Sequence, residues 1–140
     1  MRDQRGSVLA LMPAAVLVFV VLGALAVDSA LAFLGERQVS NLAAAVANDA
    51  AVQAIDFDRY YQTGEIVLDP VLVEDVAVAA LGASGLGHLE DLVIDTDVIG
   101  NDTVHVEVRA RIRSLFSRAL PNGIESRAVG ASAQAIAERG

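Results

Sequence analysis

SVLALMPAAVLVFVVLGALAV, residues Ser7–Val27, runs for 21 residues without a charge. As an α-helix rising 1.5 Å per residue it extends roughly 31 Å, the thickness of a bilayer's hydrocarbon core. Twelve of its residues are Leu, Val or Phe. Near the middle of a membrane each contributes about −0.3 to −0.6 kcal/mol, which sums to about −4 to −7 kcal/mol in favour of insertion, before deductions for Pro13 and Gly23. The flanks set a direction. Arg2 and Arg5 precede the stretch, whereas Asp28 and Glu36 follow it before any later base. Under the positive-inside rule, residues 1–6 stay in the cytoplasm, 7–27 cross the membrane, and the remainder lies outside as a single-pass protein. Asp28, at the far end, reaches interfacial water.

Within the span, Pro13 removes one backbone hydrogen bond and is expected to bend the helix in its first half. Membrane helices tolerate proline, so the residue does not specify a function. Ala10 and Ala14, with Gly23 further on, offer small surfaces for close helix packing, together with Pro13. The competing reading is a secretory signal peptide. Ala24-Leu25-Ala26 and Ala30-Leu31-Ala32 both match its small-x-small cleavage pattern. Its apolar core, however, spans roughly 7–15 residues, so the longer stretch here favours a retained anchor.

Beyond Asp28, residues 28–55 contain no proline and many helix formers. Leu31, Leu34, Leu42, Val46, Ala50 and Ile55 recur mostly at three- and four-residue steps and predict one apolar face. The helix is therefore expected to continue out of the membrane to about residue 55 as a rigid stalk, with Gly35 as its weak point. Residues Asp56–Asp69 read as a surface connection, with Tyr60 and Tyr61 partly covering the helix. Asp69 as cap and Pro70 in the first turn start a second helix that reaches about Leu81. Gly82, Gly85 and Gly87 then interrupt the chain.

The last third changes period. Val104, Val106, Val108, Ala110 and Ile112 alternate with Thr103, His105, Glu107, Arg109, Arg111 and Arg113, the two-residue repeat of a strand with one wet face. Leu92, Ile94, Thr96 and Val98 alternate in the same way with Asp91, Val93, Asp95 and Asp97. Gly100-Asn101-Asp102 between them predicts an antiparallel hairpin. In Glu125–Ala137, Val129, Ala131, Ala133, Ala135 and Ala137 fall on one side, small enough for a helix to lie close. Leu115–Asn122, with Pro121, reads as an irregular excursion. The expected fold is α+β: a long N-terminal helix packed on a small antiparallel sheet, with 56–140 forming an extracytoplasmic domain.

Chemistry is sparse. The 140 residues include no cysteine, which excludes disulfides, thiolate catalysis and Cys-based metal sites. All ten basic residues are Arg, and the net charge of −8 argues against a nucleic-acid partner. No hydrolase elbow, phosphate loop or zinc-helix motif occurs. His105 and Glu107, near Asp91, Asp95, Asp97 and Asp102, invite a metal reading. The spacing fails the EF-hand pattern, because Ile99 stands where an oxygen ligand is needed and Val106 where the bidentate Glu belongs. A solvated acidic edge is the expectation, facing Arg109, Arg111 and Arg113 across the hairpin. No catalytic, cofactor-binding or metal-ligating residue is assigned, no small-molecule substrate is evident, and an enzyme is not expected.

Arg5-Gly6-Ser7, the apolar helix with Pro13, Leu25-Ala26-Val27-Asp28 and the alanine-rich Asn41–Ala51 together resemble TadE/TadG-like proteins, pilin-related components of tight-adherence (Flp) pilus systems. The alternating C-terminal strands suit that family, so the resemblance covers most of the chain. It implies a pilin-like fold and a membrane-anchored minor pilin or pseudopilin. The implied partners are the lipid bilayer and other pilus or secretion-system subunits, met through the N-terminal helix. It also implies cytoplasmic processing after glycine, with Gly6 and Ser7 flanking the cut. Many such proteins carry a glutamate five residues after the cut, and Leu11 stands there instead. A carboxylate at a helix centre would cost about 3 kcal/mol without a partner. Its absence suits a permanent anchor with an assembly role rather than a major fibre subunit. Two alternatives remain: a membrane-tethered extracytoplasmic binding or sensor module, and a secreted protein with a cleaved signal peptide.

Overall fold

The computed structural model describes residues 5–116, 123 and 125–138, with the backbone alone for 5–10. Helix α1, Arg5–Gln53, is a single element of 49 residues that passes through Pro13. Two short helices follow, α2 (Phe57–Thr63) and α3 (Pro70–Ala83), and then strands β1 (Glu90–Ile99), β2 (Thr103–Arg113) and β3 (Ser126–Ile136). The strands form one antiparallel sheet in the order β1-β2-β3. The fold is α+β, a long apolar N-terminal helix and a small three-stranded antiparallel sheet.

The two-residue repeat places the sheet. In β2, Val104, Val106 and Val108 are fully buried and Ala110 nearly so, while the residues between them reach solvent. They join Val129 and Ala137 in a core completed by the second half of α1 and by Val73 and Ala77 of α3. Ala131, Ala133 and Ala135 of β3, together with Leu92, Ile94 and Val98 of β1, line the same face. Both helices therefore lie on one side of the sheet, and the other side is wet. Gly100, at φ 67°, makes the left-handed turn that joins β1 to β2. Beyond that turn, Asn101 and Asp102 accept backbone hydrogen bonds from Leu68 and Ala137, closing the top of the domain.

The buried side of α1 agrees with the expected one at Leu42, Val46 and Ala50 and departs from it at Leu34. It is formed by Ala32, Gly35, Val39, Leu42, Ala43, Val46, Ala47 and Ala50, whereas Leu34 is 54% exposed. Small residues are selected because a sheet lies against this helix, and only side chains without reach let the two backbones approach. The helix also ends at Gln53, short of residue 55. Ile55 instead makes an isolated bridge with Leu68, Asp56 N donates to Val67 O, and Asp69 N donates to Ala54 O. These bonds turn the chain back on itself.

The predicted surface connection contains helix α2, capped by the Asp56 side chain accepting from Arg59 N, with Gly64 at its end. It buries no residue, so local capping sustains it. Tyr60 is half-buried as expected, but Tyr61 is 81% exposed and its ring meets those of Phe57 and Tyr60 in the same segment. Helix α3 starts as predicted, with Asp69 accepting from Val71 N and Pro70 in its first turn, and it includes Gly82. In the predicted excursion Leu115–Asn122, residues 117–122, Pro121 among them, lie outside the described residues.

Gly35 is a contact point rather than a weak point. A Cβ there would stand 2.1 Å from Ile112 Cδ1 and 2.8 Å from Cγ1. Ile112 thus rests directly on the helix backbone at the base of β2. Gly35→Leu is expected to destabilise the domain by about 1–3 kcal/mol through overpacking, despite its better helix propensity. Adding Ile112→Ala is expected to recover much of that loss. Thermal melts of the full chain in detergent, followed by circular dichroism, check both variants.

Candidate functional site

Three surfaces lie outside the core: the first half of α1, the base of the sheet, and the wet face of the sheet. The first is the most unusual. Leu11, Met12, Val16, Leu17, Val18, Phe19, Val20 and Leu22 are all exposed, Phe19 by 75%. Residues 16–20 alone advance about 400° around a helix, so the apolar surface encircles it and leaves no polar side. A helix apolar all round has to be covered by protein or by lipid. Here the chain itself does neither: only 6% of the most apolar window is buried. This helix is long and apolar enough to cross a membrane, and it lies near the N-terminus.

The small residues singled out in the sequence lie on this surface. Pro13, Ala14 and Gly23 are exposed, and nothing stands within 4 Å of a Cβ built at Gly23. Ala14 and Gly23 are nine residues apart and thus about half a turn out of phase, on opposite sides of the helix. Gly6, Ser7 and Ala10 have helical backbone, and their side chains lie outside the described residues. Further along, the Ser29 hydroxyl donates to Leu25 O at 2.8 Å, which keeps that polar group satisfied on the helix itself.

At the base, Asp28 joins the helix to the sheet. Its Oδ1 accepts from Leu115 N at 2.9 Å, and Phe116 N lies 3.2 Å from each carboxylate oxygen. Asp28 is the first charge after the apolar stretch and is half-buried. The amides it receives belong to the chain just after β2, 87 and 88 residues away. A carboxylate taking two backbone N–H groups makes charge-assisted hydrogen bonds, stronger than neutral ones. Sequence reasoning placed Asp28 at the membrane boundary but assigned it water as partner. No local pattern announces a contact this distant. A second tie lies higher up, where Arg127 of β3 reaches Glu36 of α1 at 3.7 Å.

Family models, curated proteins and solved structures yield no match to this chain.

The wet face of the sheet carries the charges expected there. Arg109 pairs with Asp95 and with Glu107, Arg111 with Asp91 at 3.7 Å, and Arg113 with Glu90 at 3.9 Å. Asp91, at φ 51°, lies where β1 slips register between Glu90 and Val93. These side chains are more than half exposed in most cases, so each pair contributes a few tenths of a kcal/mol, about the usual value for surface pairs. Beside them, Ala128, Gly130 and Ser132 of β3 leave a broad open depression. His105 Nδ1 lies 3.2 Å from Gln134 Nε2, and His88 Nε2 lies 3.1 Å from Gln38 Oε1. Among the described residues no group of three His, Asp or Glu side chains is gathered for a metal ion. The arrangement can bind through charge and shape.

Proposed function

We propose that the chain is a membrane-anchored, pilin-like structural component of a pilus or related secretion apparatus, acting by assembly. Residues 7–27 are the anchor, the N-terminus is cytoplasmic, and the sheet domain lies outside. The observation that carries this reading is the division of α1: its first half is apolar on every side and uncovered, and its second half is the spine of the domain. One continuous helix thus provides both the anchor and the core element. The likeness of residues 5–7, 25–28 and 41–51 to TadE/TadG-like proteins supports a minor pilin or pseudopilin in a tight-adherence system. Other subunits would be met through the exposed helix, where Ala10, Pro13, Ala14 and Gly23 offer low relief.

Intact mass of the protein purified from its own membrane tests the anchor. Uncut chain, or chain cut between Gly6 and Ser7, is the expected result. A mature terminus near Val27 or Phe33 would instead establish a secreted protein released by signal peptidase. Cross-linking in the native membrane tests the assembly role. Adducts to pilus-system subunits are expected, and a consistently lone monomer would end the proposal. A cut after Ala32 would also remove Asp28 from its bonds to Leu115 and Phe116, so retention of the helix is the reading that keeps the domain's base intact.

A further inference from the structure

We infer that Leu115 and Phe116 form a second membrane contact, an apolar foot that seats the base of the sheet in the headgroup region of the bilayer beside the anchor helix. The inference rests on the anchor reading above but makes a separate claim.

Leu115 is 52% exposed and Phe116 47%, just past the end of β2 at Arg113. Held beside the uncovered helix by Asp28, this adjacent pair extends its apolar surface, and contiguous apolar patches mark sites of contact with protein or membrane. Their height is set by Asp28. Its carboxylate takes the backbone amides of both residues, so they lie level with the first charge after Val27. If residues 7–27 fill the hydrocarbon core, that level is the membrane–water boundary. A carboxylate does not enter the core readily, which limits how deep the foot can sink. The side chains beyond the amides are free to reach lower than the carboxylate that fixes them.

The helix carries matching features at the same end. Phe33 and Leu34 are 58% and 54% exposed. They follow Val27 by six and seven residues, roughly 9–10 Å along the axis, which puts their backbone just beyond an interfacial layer about 5–7 Å deep, with their Cα–Cβ bonds tilted back towards it. The Arg37 guanidinium lies 5.9 Å from the centre of the Phe33 ring. An aromatic ring paired with a cation suits a zone that is apolar below and wet above. Phe33 and Leu34 are turned about 120–140° around the helix from Asp28, so the apolar collar reaches beyond the sheet side. A lipid surface meets such a collar on all sides at once, whereas a single protein partner would cover one sector.

The chain has no cysteine, so single labels can be placed without background. Phe116→Cys, Leu115→Cys, Phe19→Cys and Tyr61→Cys, each spin-labelled in the full chain, are reconstituted in phosphatidylcholine nanodiscs. Accessibility to oxygen and to a water-soluble nickel chelate then reports depth. The expected result places the 115 and 116 labels within roughly 5–10 Å of the headgroup–acyl boundary. The label at 19 should be in lipid and the label at 61 in water. Asp28→Ala is expected to shift the 116 label towards water, and Asp28→Asn, which keeps an acceptor, to shift it less.

A label at 19 in lipid with labels at 115 and 116 in water overturns the foot and leaves the anchor standing. A label at 19 in water defeats both. Protection at 116 from both probes means that the residue is packed against protein, which also overturns the foot. A 116 label that ignores Asp28→Ala removes Asp28 as its support.

Discussion

Val18→Arg combined with Phe19→Arg is expected to release the chain from the membrane fraction. The intact span favours insertion by about 4–7 kcal/mol. Each arginine near the centre costs about 2.5–3.5 kcal/mol on the same scale, and the favourable Val and Phe terms disappear with the residues replaced. The sum is close to zero or unfavourable. Snorkelling offers little relief, because residues 18 and 19 lie about 12–18 Å from the two ends of the stretch. Alkaline carbonate extraction reads the outcome directly: the parent chain stays in the pellet and the double variant moves to the supernatant or aggregates. Phe19→Leu, which keeps the apolar surface, is expected to stay with the membrane. A double-arginine variant that still resisted carbonate would refute the anchor.

The second large effect is expected from Val106→Asp. Val106 is fully buried in the central strand, in register with Thr96 of β1 and Ala133 of β3. Among the described residues the core contains no buried polar or charged side chain, so a carboxylate there has no partner in reach. Burying an unpaired charge belongs to the small class of substitutions that cost more than about 4–5 kcal/mol. Domains of this size have only about 5–15 kcal/mol in total. The cooperative thermal transition of the domain should weaken or vanish and the sheet should become protease-sensitive, while carbonate extraction is unchanged. Glu107→Asp, one residue along on the wet face, is expected to be neutral. That contrast between adjacent positions tests the two-residue period itself.

The sheet was legible because its signal is short-range and repetitive. Val104 to Ile112 alternate strictly, Gly100-Asn101-Asp102 supplies a turn, and Val129 to Ala137 alternate again. Helix α3 was legible from the Asp69 cap and Pro70 alone. The inner face of α1 was harder. Reading large apolar residues as the core selects Leu34, yet the packing turns on Ala32, Gly35, Ala43 and Ala47, whose value lies in what they lack. In an alanine-rich chain such residues occur on every side, so periodicity discriminates poorly. Helix α2 was missed because it buries nothing and leaves no apolar repeat. The clasp of Asp28 on Leu115 and Phe116 depends on the sheet folding back along the helix, a tertiary fact with no local trace. The segment after Asp28 continues the helix and packs on the sheet as expected, with the sheet lying along its length.

The absence of any spacer between Val27 and the clasp at Asp28 has a mechanical consequence. If residues 7–27 span the bilayer as proposed, the angle of the helix there is also the angle of the head. The portion beyond Asp28 extends roughly 38 Å, so a tilt of about 20°, ordinary for a spanning helix, swings the far end sideways by about 13 Å. A thinner or thicker bilayer, by changing that tilt, would re-aim the outer end of the domain without altering a single contact inside it.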